Sequence, residues 1–130
     1  MRTVLILEDK PERKAAFERV APSLGLRVKI WDCAERMRRE CEKFLPDAAL
    51  ISLEQDLNIN DRSTGLDVAK FLAGKLPVCP VIVHTGNTDR SFSIFNELRF
   101  AAWSVDRVSP ICEGWIDKYW MPKAHELMTA

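Results

Sequence analysis

The chain is 130 residues long, enough for one domain with a core of its own. Lysine plus arginine and aspartate plus glutamate number 19 each, so the formal net charge is zero and there is no general pull towards nucleic acid or anionic membrane. No apolar run approaches the ~18–20 residues that span a bilayer, and the N-terminus reads as a strand rather than a signal peptide.

Thr3 to Leu7 opens the chain with four consecutive aliphatics, Val4-Leu5-Ile6-Leu7, and then Glu8-Asp9-Lys10. A strand with no polar face must be covered on both sides, as in the centre of a parallel sheet. Pro11 suits the first turn of a helix that carries Ala16, Phe17, Val20 and Leu24 at helical spacing and stops at Gly25. Arg27 to Trp31 reads as an edge strand with Val28 and Ile30 on one face. Asp32 is placed to cap a helix from Cys33 to Phe44, whose inner side is Met37, Cys41 and Phe44.

Pro46-Asp47 marks a turn, and Ala48 to Leu53 is the third strand, apolar but for Ser52, followed directly by Glu54-Gln55-Asp56. Leu57 to Thr64 is a polar loop in which Asp61 reads as a turn residue. Gly65 to Leu76 is a helix that offers Leu66, Ala69, Phe71 and Leu72 for burial. Pro80 to Val83 is the fourth strand and ends in His84-Thr85-Gly86-Asn87. A helix with Phe92, Phe95 and Leu98 runs to about Ala102, and Ser104 to Val108 is the fifth strand. The last helix begins near Glu113 and carries Trp115, Ile116, Tyr119 and Trp120. Pro122 should end or kink it, leaving a turn or two from Ala124 to Met128.

Strands alternating with helices require right-handed crossovers and a parallel sheet covered on both faces. The expectation is an α/β doubly wound five-stranded parallel sheet, a single domain over residues 1–130. Its two most hydrophobic strands, the first and third, are central neighbours. The crevice beyond their carboxyl ends then lies between Glu8-Asp9 and Glu54-Asp56. Cys33, Cys41, Cys79 and Cys112 have irregular spacing and read as buried thiols of a reduced, cytoplasmic protein.

Glu8, Asp9, Glu54 and Asp56 repel one another around one crevice unless a cation sits among them. An all-oxygen set suits Mg²⁺, Mn²⁺ or Ca²⁺; solvated loop acids are the plainer alternative. Ser52, Glu54 and Asp56 share one parity. His84 has the opposite parity to Thr85 and is either a core histidine or, if the strand bends at Gly86, a proton-transfer group aimed into the crevice. Thr85 is placed to contact whatever binds there. Asn87 is first a helix cap, with Thr88 and Asp89 as competitors, and second a ligand contact. Arg107 either snorkels from an edge or supplies positive charge to the crevice.

In the order of these pieces the chain resembles a response-regulator receiver domain (CheY-like) over nearly all its length. Glu8-Asp9 resembles the acidic pair that holds Mg²⁺ in that family, and Pro46 to Ile51 the approach to the phospho-acceptor aspartate. Gly65-Leu66 resembles the start of the third helix, and Pro80 to Val83 with Thr85 the fourth strand and its phosphate-sensing hydroxyl. The resemblance implies the receiver/flavodoxin-like strand order 2-1-3-4-5. It also places Ser52 where the acceptor aspartate stands and Ser109-Pro110 where the lysine-proline stands.

The altered residues are similar to those of an atypical receiver offshoot proposed to process cyclic phosphates in RNA repair. The matching positions are Glu54, Asp56, His84, Asn87, Trp115 and Trp120. Glu54-Gln55-Asp56 stands where that offshoot has Asp-His-Asp.

Two functions follow. The first is a stand-alone receiver-like signalling domain that lacks the acceptor aspartate and the switch lysine. It has an acidic crevice for Mg²⁺ or Mn²⁺ at Glu8, Asp9, Glu54 and Asp56, with Ser52, Thr85 and Asn87 as ligand contacts. The second is a metal-dependent cyclic-phosphate enzyme of the same crevice with His84 as acid-base, acting on RNA ends. The first is preferred, because the lost acceptor is directly visible. The expected partner is a protein or a second copy, met through the C-terminal helix by Trp115, Tyr119 and Trp120; neither a membrane nor, by charge, a nucleic acid is expected.

Overall fold

The computed structural model describes residues 2–57, 62–86, 88–108 and 111–130, without the side chains of Thr88 and Arg90. Five strands, β1 (Thr3–Leu7), β2 (Arg27–Trp31), β3 (Ala48–Leu53), β4 (Val81–His84) and β5 (Val105–Val108), form one parallel sheet in the order β2-β1-β3-β4-β5. The doubly wound expectation holds, with β1 and β3 paired at the centre and every residue of both strands buried. Among the described residues the α-helices are α1 (Pro11–Val20), α2 (Ala34–Glu40), α3 (Gly65–Ala73), α4 (Thr88–Phe100) and α5 (Met121–Thr129).

Strand alternation sorts the side chains into two cores. Leu5, Leu7, Ile51, Leu53, Val81 and Val83 meet Met37, Val68, Leu72, Ile94 and Leu98 of α2, α3 and α4. Val4, Ile6, Leu50 and Ile82 meet Phe17 and Val20 of α1, and Trp120 and Ala124 of the C-terminal segment. By the same alternation Glu8, Ser52, Glu54 and His84 belong to the second face.

Several boundaries differ from the sequence expectation for local reasons. Asp32 does not cap α2: Cys33 holds that position without a side-chain bond, and Asp32 pairs with Lys14 at 3.7 Å. Residues Cys41–Asp47 wind as a 3-10 helix rather than extending α2. A capping box between Thr64 and Asp67 starts α3, which stops at Gly74, before Leu76. Gly65 is obligatory, because a Cβ there would stand 2.3 Å from the Glu54 carbonyl oxygen. Pro122 neither ends nor breaks the last helix. A π-helical turn over Ile116–Trp120 runs directly into α5, and Pro122 falls where the winding changes from π to α.

The four cysteines are free. Cys41 is buried, Cys33 and Cys79 are partly exposed and Cys112 is exposed, which corrects the expectation that all are buried. Burial pushes the Cys41 thiol up to about 11 and the Cys79 thiol up to about 12, so neither is nucleophilic near neutral pH. Among the described residues no helix is long and apolar enough to cross a membrane.

Candidate functional site

The site is built by register. Leu7 pairs with Leu53, and Leu53 with Val83. The next residue on each strand is Glu8, Glu54 and His84, so the three lie in one row across the ends of β1, β3 and β4. Backbone bonds extend the ladder to this level: Glu8 N–H donates to the Trp31 carbonyl at 2.9 Å and Glu54 N–H to the Leu7 carbonyl at 3.2 Å. Neighbouring strands are ~4.8 Å apart, so same-face residues at one level touch. Each of the three residues offers a ligand atom within 4.8 Å of the others, and all three are buried.

His84 therefore needs no bend at Gly86 to meet the carboxylates. It stays in β4 with its side chain wholly buried, beside Phe17 (ring centroids 5.3 Å) and stacked on Trp115 (5.6 Å, 28°). Its Nδ1 lies 2.6 Å from Ser52 Oγ, and Trp120 Nε1 donates to the same oxygen at 2.9 Å. Its Nε2 is 3.2 Å from Glu8 Oε1, a contact that helps to lower the Glu8 pKa, and makes no hydrogen bond of good geometry among the described residues.

Arg13, which the sequence reading did not single out, is the cation of the cluster. It lies in the first turn of α1, directly over the strand ends. Its Nη1 reaches Glu54 Oε2 at 3.2 Å and Glu8 Oε1 at 3.5 Å, and its guanidinium carbon lies 5.5 Å from the Trp115 ring centre. The other carboxylate oxygens are held by backbone donors. Glu8 Oε2 accepts from Asp9 and Lys10, and Glu54 Oε1 from Asp56. An arginine placed shortly after an acidic strand end was the available signal, because the first helical turn returns over that end.

The two glutamates are driven apart electrostatically. Burial raises the Glu54 carboxyl; the His84 ring, the Asp56 N–H and Thr85 oppose this without reversing it. Burial also pushes Glu8 upward, but His84, the Lys10 N–H and Arg13 outweigh it, so its pKa falls below the ordinary glutamate value.

The remaining expected residues separate. Asp9 is half-buried and Asp56 exposed, and neither belongs to the converging group. Thr85 is buried and bonds to Glu54. Asn87 and Ser109 lie outside the described residues, as does Asp61. Arg107 does not reach the crevice: it lies 4.2 Å above the Phe92 ring centre and donates to Ser91 at 3.3 Å. Trp115 and Trp120 are spent on the core, and of the three expected surface aromatics only Tyr119 is exposed.

Mg²⁺ wants near-octahedral oxygen, and the expected set of four carboxylates is not assembled. What is assembled is two carboxylate oxygens and one imidazole nitrogen, with a guanidinium across the carboxylates. This donor set fits a borderline transition metal better than Mg²⁺.

No protein-family model and no curated protein matches the chain. Solved structures do, and they carry the receiver fold. The receiver domain of the Francisella response regulator 1452 superposes with a TM-score of 0.74 at 13% identity, over 99% of this chain and 98% of that one. The BeF3-activated N-terminal receiver domain of Klebsiella pneumoniae RstA gives 0.72 at 13% identity, over 99% and 100%. The Thermotoga maritima response regulator TrrA in complex with Mg(2+)-BeF gives 0.64 at 16% identity, over 95% and 99%. The chain thus has the fold of response-regulator receiver domains.

Proposed function

We propose that this receiver-fold chain is a signalling or interaction domain that works without an aspartyl-phosphate switch. The observation that carries the reading is the state of Ser52. It stands at the carboxyl end of β3, where the resemblance puts the acceptor aspartate. Its hydroxyl is fully buried and engaged by Trp120 Nε1 and His84 Nδ1. A buried alcohol between two ring nitrogens is neither the nucleophile nor the oxygen ligand that a phosphoryl group and Mg²⁺ require. The strand-end crevice is filled by the protein's own Arg13 and His84. Output then rests on protein contact, and Tyr119 is the exposed aromatic of the C-terminal segment for it.

The test is beryllofluoride, the phosphoryl mimic carried by two of the similar structures. Beryllofluoride with Mg²⁺ should leave the amide resonances of Ser52, Glu54 and Thr85 unmoved in a ¹H–¹⁵N spectrum. Saturable shifts at those three would overturn the reading.

One observation favours a second reading, a metal-dependent phosphoester enzyme with His84 as acid-base. Glu8, Glu54 and His84 converge, and a pocket of about 420 Å³ opens beside Arg13 and Trp115. Against it, His84 is closed to any substrate. Purified protein with Mn²⁺ should therefore leave 2′,3′-cyclic nucleotides intact. Metal-dependent turnover that falls ~10²–10⁴-fold in a folded His84→Ala variant would establish the enzyme instead.

A further inference from the structure

We infer that Glu8, Glu54 and His84 form a binding site for a divalent transition-metal ion of the zinc, cobalt or iron class, and that Arg13 is the resident cation which the metal displaces. The inference is independent of the signalling reading, and it differs from the enzyme reading in making His84 a ligand rather than the acid-base.

The donor atoms are aimed at one place. With Glu8 Oε2 and Glu54 Oε1 held by backbone N–H groups, Glu8 Oε1 and Glu54 Oε2 remain, and both face the same Arg13 nitrogen. His84 Nε2 faces Glu8 Oε1 from the other side at 3.2 Å. Metal–nitrogen and metal–oxygen bonds of about 2.0–2.2 Å put neighbouring ligand atoms roughly 3.0–3.4 Å apart, so this edge already has the spacing of a coordination polyhedron. Glu54 has only to close from within 4.8 Å.

The independent sign of a ligand is the imidazole itself. Its Nε2 is wholly buried, makes no hydrogen bond of good geometry among the described residues although Glu8 Oε1 lies 3.2 Å away, and points into the cluster. A buried polar atom in that state is exceptional. The ring is fixed in this direction by Phe17 and Trp115 and by Ser52 at Nδ1. Metal-bound histidines commonly hold an acceptor at their second nitrogen in this way, and the Ser52 oxygen is placed to accept from Nδ1–H. The nitrogen ligand selects against Mg²⁺, which prefers oxygen throughout. Arg13 has somewhere to go: it lines the neighbouring pocket, together with Ala16, Ile111 and Trp115.

Co²⁺ tests the site directly, because it reports coordination in its visible spectrum and quenches nearby tryptophan. Trp115 stacks on His84, so binding should quench fluorescence saturably and give the stronger absorption of a low-coordinate cobalt centre. Mg²⁺ at the same concentration should do neither. Asp9→Asn should bind as wild type does. Glu54→Gln and His84→Gln should each weaken binding by roughly tenfold or more, and Arg13→Met should tighten it by a similar factor. Folding of each variant is checked by circular dichroism; if His84→Gln fails to fold, Glu54→Gln alone carries the test. Unchanged Co²⁺ binding in folded Glu54→Gln would overturn the proposal. So would the absence of quenching at millimolar Co²⁺ in both wild type and Arg13→Met.

Discussion

Replacing Arg13 with methionine should destabilise the metal-free protein by about 3–5 kcal/mol, the cost of leaving a buried carboxylate pair without its cation. Methionine keeps most of the stem that packs near Trp115, so the loss reports charge more than volume. Glu8 is wholly buried and Glu54 nearly so, and neither can turn to solvent while its second oxygen is held by backbone N–H groups. For a domain of this size the melting temperature should fall by about 10–20 °C.

The pH dependence of that gap follows from the shifts. In the wild type the lowered pKa of Glu8 contributes stability above the ordinary glutamate pKa, which is lost as pH falls through the folded value. Glu54, raised by burial, has the opposite sign: the fold favours its protonated form, and stability is lost as pH rises past the ordinary value. Without Arg13 the Glu8 carboxyl moves upward, and Glu54 loses the guanidinium 3.2 Å away. The variant should therefore be furthest below wild type near neutral pH and recover part of the gap as pH approaches ~4–5. Arg19→Met removes a tighter pair, to Asp117 at 2.7 Å, but one that lies in solvent and should barely move the melting point. Equal effects for the two arginines, measured by thermal melts across pH, would remove Arg13 from its place in the account.

The second large effect is expected at Trp120. It is fully buried, packs edge-on to Phe17 at 4.8 Å between ring centres, and donates to Ser52. Truncation to alanine should cost about 3–5 kcal/mol through the cavity it leaves. Trp120→Phe keeps a ring against Phe17 but loses the N–H together with part of the indole volume, so the polar part must be read from a cycle that cancels the volume loss. Combined with Ser52→Ala in a double-mutant cycle, it should show a coupling of about 0.5–3 kcal/mol. Strict additivity in urea melts would mean that the bond to Ser52 carries nothing. The point matters for function, because this hydrogen bond ties the C-terminal segment to the end of β3.

Most of the fold was legible because the two central strands, Val4 to Leu7 and Ala48 to Leu53, have no polar residue except Ser52. Only a doubly covered parallel position accommodates them. The site was legible in part. The shared parity of Ser52 and Glu54, and the opposite parity of His84 and Thr85, were both visible in the sequence. Register was not, and it is register that brings His84 level with Glu54 and Glu8. Asp56 departs because β3 ends at Leu53 and the chain turns, which alternation alone cannot foresee. Arg13 was missed for a related reason: its role depends on where the first turn of α1 lies over the sheet. The π-helical turn at Ile116–Trp120 likewise left no mark, although it sets the positions of Trp115 and Trp120 against Phe17.

The chain has the receiver fold, and its own side chains occupy the strand-end crevice. Arg13 bridges the two carboxylates, and His84 and Ser52 are paired at the ends of β4 and β3. The account stands or falls on whether that crevice still accepts phosphate. Incubation with acetyl phosphate and Mg²⁺, followed by intact-mass measurement, should return the unmodified mass. A gain of one phosphate that hydroxylamine removes would show an acyl phosphate on this chain and contradict the account.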